Sequence, residues 1–236
     1  MRNNIAIILP CYNAKNTIIQ AINGIISYLP EAKIIIVDDN SPDKSSDLIK
    51  KRFHKDKRIN LINRSSKQGR GSAIHRGFSE ALKDRNIEFF IEMDADLCHN
   101  PKYIPTMINK CKTYDVVIAS KYLKESEIKG LNTTRYLFSK IANFYLKLIL
   151  QVPITDYTNG FRCYKRGALE KIDFNSFNSK GFIVLSEIIY KIYKNGCTLA
   201  EIPFIFNNIG DNKSNFNLSE IKEAFVTILN LKFNFR

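Results

Sequence analysis

The chain of 236 residues predicts an α/β fold built on a mostly parallel, Rossmann-like central sheet with flanking helices. Apolar, β-branched runs of strand length recur, helical periodicity fills the gaps between several of them, and the polar clusters fall just after the apolar runs. The runs are Ile5–Leu9, Ile34–Val37, Ile59–Ile62, Phe89–Met93 and Val116–Ala119.

Taken in order, Ile5–Leu9 stops at Pro10; it is too short for the core of a signal peptide and suits a first strand. Thr17–Tyr28 sets Ile18, Ala21, Ile22 and Ile25 on one helical face. After the second run, Ser41 and Asp43 either cap a helix over Lys44–Phe53 or serve a site at the strand end. After the third, "QGRGSA" around Gly71 opens a helix over Ser72–Leu82, with Ala73, Phe78, Ala81 and Leu82 on one face. Backbone N–H groups at such a start attract anions. The segment "YLFSKIANFYLKLILQV" is apolar but is interrupted by Lys140, Asn143 and Lys147, so no run has the length of a spanning helix. The tail places Ile221, Ala224, Phe225, Ile228 and Leu229 on one face of an amphipathic helix. The expected organisation is therefore one domain over 1–216 and a C-terminal helix over 217–236, packed on that domain or lying at a membrane surface.

A formal net charge of +13 calls for an anionic partner. Nucleic acid is not expected, because there is neither a base-stacking aromatic motif nor a basic recognition helix. The cysteines, Cys11, Cys98, Cys111, Cys163 and Cys197, show no C-x-x-C spacing, which fits a reduced, cytoplasmic compartment.

The fourth run leaves the core through Asp94 and Asp96. Side chains at i and i+2 of an extended segment point the same way. The two carboxylates repel unless a metal or another strong positive charge joins them. In parallel sheets ligands bind beyond the carboxyl ends of the strands. There lie "PCYNAKN", "DDNSPDKS", "NRSSKQGRGSA" and "DADLCHN", and their convergence on one edge points to a single binding site.

Together with "DYTNGFRCYKRGALEKID", these motifs resemble the family-2 glycosyltransferases of GT-A fold, and more narrowly the dolichyl-phosphate mannose synthases and related polyprenyl-phosphate glycosyltransferases. The resemblance implies inverting transfer of a hexose, of mannose or glucose type, from a GDP- or UDP-sugar to a polyprenyl phosphate lipid. It implies peripheral attachment at the cytoplasmic face of a membrane. It puts Pro10, Tyr12, Asp38, Asp39, Gly71, Asp94 and Arg162 at the donor, and Asp94 and Asp96 on a Mg²⁺ or Mn²⁺ ion. Lys121, Arg135 and Lys213 fall to the acceptor phosphate, and Asp96, Asp156 and Arg135 are the expected catalytic residues. The chain departs from the pattern at Ala14, where Glu is usual, at Cys98, where Gln is common, at Lys121, normally Arg, and at Ile209, Asn212 and Asn215, in place of a phosphate clamp. Two alternatives stand beside it: transfer to a sugar hydroxyl with Asp156 as base, and a donor-binding scaffold without turnover. His54, His75 and His99 lack metal spacing and are assigned no chemistry.

Overall fold

All the runs read as strands form strands: β1 Ile5–Cys11, β2 Lys33–Asp38, β3 Ile59–Asn63, β4 Phe89–Glu92 and β5 Val116–Ser120. The computed structural model describes residues 4–177, 181, 183–208, 228, 231 and 232. Between the strands lie α1 Ile18–Tyr28, α2 Ser45–Phe53, α3 Arg70–Leu82 and α4 Ile104–Cys111. The second half adds β6 Glu127–Lys129, α5 Thr133–Leu150, β7 Arg162–Lys165, α6 Arg166–Glu170, α7 Val184–Lys194, β8 Leu199–Pro203 and β9 Ile205–Asn207.

The main sheet has the order β3-β2-β1-β4-β7-β5-β8, and β6 pairs with β9 in a small second sheet. β1 to β4 run parallel, as does β8 beside β5. β7 is the exception, antiparallel to both β4 and β5. Because it runs backwards, its first residue, Arg162, lies opposite Glu92 of β4 and Ile118 of β5. The loop that enters β7 is thereby delivered to the edge where β4 and β5 release their own loops. This one inversion builds half of the site.

The sheet is buried on both faces, which is why its central strands read as continuous apolar runs. Ile5, Ile7 and Leu9 pack with the apolar faces of α1 and α4, while Ala6 and Ile8 pack on the opposite side with α3, α5 and α7. Of the tail, Ile228 and Leu231 are described, and both are buried in that second layer. No helix among the described residues is long and apolar enough to cross a membrane.

His75, on α3, packs against the rings of Phe174 and Phe177, with centroids 5.5 and 4.4 Å away. Burial, and then the nearby Lys191, push its imidazole down to about 4. A histidine held neutral in this way adds stability that is complete above its unfolded pKa, near 6.5, and is lost as pH falls from there through about 4. At about 1.4 kcal/mol per unit, the loss across that window is roughly 2–3 kcal/mol. We expect the stability difference between wild type and His75→Gln to shrink by this amount between pH 7 and pH 4 in paired urea melts. A pH-independent difference would refute the assignment.

Candidate active site

The loops after β1 and β2 are laced together. The backbone N–H groups of Asn13, Ala14 and Lys15 donate in turn to Ser41 Oγ (3.0 Å), Ser45 Oγ (3.0 Å) and Asp43 Oδ2 (2.9 Å). Asp38 secures this lattice by accepting from the Ser41 N–H (3.0 Å) and hydroxyl (2.6 Å). Asp39 accepts from the N–H groups of Gln68 (2.9 Å) and Gly69 (2.8 Å) and pairs with Arg64 Nη1 at 3.1 Å. Gly69 has φ 90°, a backbone state that side chains disfavour, and it turns the chain into α3, whose second residue is the buried Gly71. Asp38 and Asp39 are thus buried braces of the loops after β1, β2 and β3. Pro10 is half-buried at the end of β1, and Tyr12 is 41% exposed with Lys67 Nζ 4.1 Å from its ring centre. Burial, then Asp38, push the Cys11 thiol up to about 12, which leaves it chemically quiet.

At the end of β4 the repulsion between carboxylates meets a cation from the chain itself. Arg70, the first residue of α3, donates from Nε (3.0 Å) and Nη2 (2.7 Å) to Asp94 Oδ1. Its Nη1 lies 2.9 Å from Glu92 Oε1, an ion contact without hydrogen-bond alignment. Burial pushes the Asp94 carboxyl up, but the Arg70 guanidinium beside it outweighs this and holds the group below the usual carboxylate range. Glu92 is fully enclosed, and there burial prevails over Arg70 and Arg162 and raises it. His99 accepts the Asp94 N–H at Nδ1 (3.0 Å), so Nε2 carries the proton and faces Asn159 Oδ1 at 3.0 Å. Asp96 Oδ1 accepts the Cys98 N–H (3.0 Å), closing a turn through Leu97 at φ 69°. Cys98 is buried, with Sγ 3.9 Å from Asn208 Oδ1.

The loop before β7 lines the same edge. Asp156 is 0% exposed. Its Oδ1 accepts from the Thr158 N–H and hydroxyl (each 3.2 Å) and the Asn159 N–H (3.0 Å), and its Oδ2 from the Lys121 N–H (3.1 Å). Lys121 Nζ lies 3.6 Å from the same Oδ2. Glu201 of β8 supports the loop from below by accepting from the N–H groups of Thr155 (2.9 Å) and Asp156 (3.1 Å). A Cβ at Gly160 would stand 2.1 Å from Arg70 Nη2, so a side chain there would have to displace the Arg70 guanidinium.

Arg162, expected at the donor, is placed otherwise. It is fully buried, and its guanidinium donates to the carbonyls of Asn159 (2.7 Å), Leu185 (2.6 Å) and Tyr157 (2.8 Å). It holds the loop in shape and has no path to a ligand. Arg135 lies in the first turn of α5, part-exposed. Lys213, with Ile209, Asn212 and Asn215, lies outside the described residues.

The structure therefore brings Asp94, Asp96, Lys121 and Asp156 to one edge. Sequence reasoning missed Arg70 and His99. The first was hidden inside a glycine motif, and the second lacked a metal-binding companion although it follows Asp96 by only three residues. A divalent ion fits this edge. Arg70, then Arg162, act on Glu92, Arg70 alone donates to Asp94 Oδ1, and the second carboxylate oxygens of Asp94 and Asp96 take no part in these hydrogen bonds, Asp94 Oδ2 standing 3.9 Å from His99 Nε2. No group of three or more ligating side chains exists among the described residues. That pattern suits Mg²⁺ or Mn²⁺ held by one or two carboxylates and completed by substrate phosphates and water.

Fold and edge together define an α/β domain with an acidic site at the carboxyl ends of its strands, and comparison with known proteins makes the class specific. The chain belongs to glycosyl transferase family 2, whose model matches residues 6–173, and it is a glycosyltransferase of GT-A fold. It is 31% identical over 224 residues to the polyprenol monophosphomannose synthase of Mycolicibacterium smegmatis, covering 94% of this chain and 84% of that protein. It is 28% identical over 223 residues to the undecaprenyl-phosphate mannosyltransferase of Micrococcus luteus, with 94% and 90% covered. Among solved structures it is similar to glucosyl-3-phosphoglycerate synthase of Mycobacterium tuberculosis in complex with Mn²⁺, uridine diphosphate and glucosyl-3-phosphoglycerate. That match has a TM-score of 0.71 at 15% identity and covers 98% of this chain and 80% of that one; at this identity it establishes the shared fold.

Proposed function

We propose that the protein is an inverting, metal-dependent hexosyltransferase that moves a mannose- or glucose-type sugar from a nucleotide sugar to a polyprenyl phosphate at the cytoplasmic face of a membrane. The names of the two relatives aligned over nearly the whole chain support the substrate class. The observation that carries the choice of acceptor is the state of Asp156. A sugar hydroxyl needs a base to take its proton, whereas the carboxylate on this side is enclosed, with both oxygens committed to N–H and O–H donors. A phosphate monoester, with a second pKa near 6, is already a nucleophile at neutral pH. It needs cations, and Lys121 and Arg135 are the candidates.

In this reading an acceptor phosphate oxygen attacks the anomeric carbon from the face opposite the diphosphate. The bond between that carbon and the diphosphate oxygen breaks, and its electron pair leaves with the nucleoside diphosphate. No proton has to move. Asp94 and Asp96 would hold the divalent ion, which when bound supplies positive charge for the leaving diphosphate. Arg70 keeps Asp94 ionised and aimed, while Lys121, steadied by Asp156, draws the acceptor phosphate to the same edge.

Purified protein given labelled GDP- and UDP-hexoses, Mn²⁺ and a short-chain, water-soluble polyprenyl phosphate should yield a lipid-linked sugar labile to mild acid. An oligosaccharide product, or no turnover with any donor, would overturn the proposal. A thermal-shift screen of the same donors identifies the base and sugar, because a ligand of the native state raises the melting temperature. Arg135→Ala should raise the acceptor KM or lower kcat by about 2–3 kcal/mol in transition-state terms, with donor affinity unchanged. An effect confined to donor binding would move Arg135 to the other half of the site.

A further inference from the structure

Among the described residues, every exposed leucine, isoleucine and phenylalanine lies on one helix. Leu137, Phe138, Ile141, Phe144 and Leu148 of α5 are 55%, 60%, 57%, 64% and 58% exposed. Leu137, Ile141, Phe144 and Leu148 follow the i, i+4, i+7, i+11 spacing of a single stripe, while Asn143, Leu146 and Leu150 of the same helix are buried against the domain. So continuous an apolar surface on a soluble-type fold marks an interaction site.

We propose that this outer face of α5 docks on an anionic lipid bilayer and lies in its headgroup layer. The charge on the helix selects that occupant. Residues 133–150 contain Arg135, Lys140 and Lys147 but no aspartate or glutamate, and Lys140 and Lys147 are exposed along one border of the stripe. An apolar stripe edged with lysine is the composition of an interfacial helix, and anionic headgroups attract each such cation. A second copy of the chain would instead bring lysine against lysine.

The inner face of α5 ties this surface to the chemistry. Asn143 Oδ1 accepts the Tyr157 N–H (2.7 Å), its Nδ2 donates to Thr158 Oγ1 (3.1 Å), and Ser139 Oγ accepts the Tyr122 hydroxyl (2.7 Å). The loops carrying Lys121 and Asp156 therefore rest on the back of the helix, about one helix diameter, ~10 Å, from the proposed lipid contact. Of the C-terminal segment, expected from sequence either to pack on the domain or to lie at the membrane, Ile228 and Leu231 are buried in the core. The inference deepens the proposed function by placing its lipid-borne acceptor, and rests on it in that respect; the docking itself rests on the helix.

The test uses the full-length protein and an Ile141→Asp/Phe144→Asp variant. Wild type should co-float with phosphatidylcholine–phosphatidylglycerol vesicles and less with phosphatidylcholine alone. The variant should bind the mixed vesicles at least about tenfold more weakly. It should keep its melting temperature and its turnover on the water-soluble acceptor, and lose turnover on a long-chain acceptor embedded in vesicles. Equal vesicle binding by both proteins overturns the proposal. So does a strongly lowered melting temperature, or a wild-type dimer that the variant dissolves without any vesicle binding. Absence of turnover in wild type together with vesicle binding that needs phosphatidylglycerol and is lost in the variant would reject the acceptor reading and leave the docking surface standing.

Discussion

Asp96→Asn is expected to fold as wild type does and to lose transfer by a factor on the order of a hundred to a thousand, the range seen when one strong electrostatic stabiliser is removed. The fold should survive because the turn at this residue uses Oδ1 as an acceptor for the Cys98 N–H, and asparagine keeps that oxygen. What disappears is the charge at the second oxygen, the part available to a divalent ion. Single-turnover transfer should fall, and titration calorimetry should show weaker Mn²⁺ binding in the presence of a nucleoside diphosphate. Undiminished wild-type turnover in excess chelator would sink the metal assignment, as would a fully active Asp96→Asn.

Arg70→Met is expected to have the largest effect on stability. The guanidinium is the shared partner of Asp94 and of the fully enclosed Glu92. Removing one member of a buried pair leaves an uncompensated charge and costs about 3–5 kcal/mol. For a domain of this size that corresponds to a fall in melting temperature of roughly 10 °C. Adding Glu92→Gln should recover most of the loss, because it neutralises the stranded carboxylate. The two substitutions are then strongly non-additive. A single variant that melts within a degree of wild type would show that Arg70 does not hold the edge together.

The same cluster shows how far the sequence could be read. The pairing of Asp94 with Asp96 announced that a positive charge was needed, since the i, i+2 geometry of an extended segment is local. That Arg70 supplies part of it was not legible, because the contact spans 24 residues and depends on α3 lying beside β4. Ser41 and Asp43 had been open to reading as helix caps. Asp43 does accept the Ser45 N–H at 2.9 Å, but the larger use of both residues is to grip the backbone of Asn13 and Lys15 across the site. Asp156 was recognisable as important, with positioning and proton transfer both open; its burial and its bonds to Thr158, Asn159 and Lys121 make it an anchor for the loop.

By itself the sequence determined the alternation of strands and helices, the carboxyl-edge location of the site and the acidic pair, since each is written in periodicities and neighbours a few residues apart. The insertion of β7 against its neighbours was decided by tertiary structure, for nothing within "RCYK" specifies that Arg162 will stand opposite Glu92. The orientation of α5 was decided there too. That helix is apolar nearly all round, so its pattern cannot say which side is core and which is surface. Only the docking of Asn143, Leu146 and Leu150 into the domain turns Leu137, Ile141, Phe144 and Leu148 outward. A helix with two apolar faces has no unique inside until another element claims one of them.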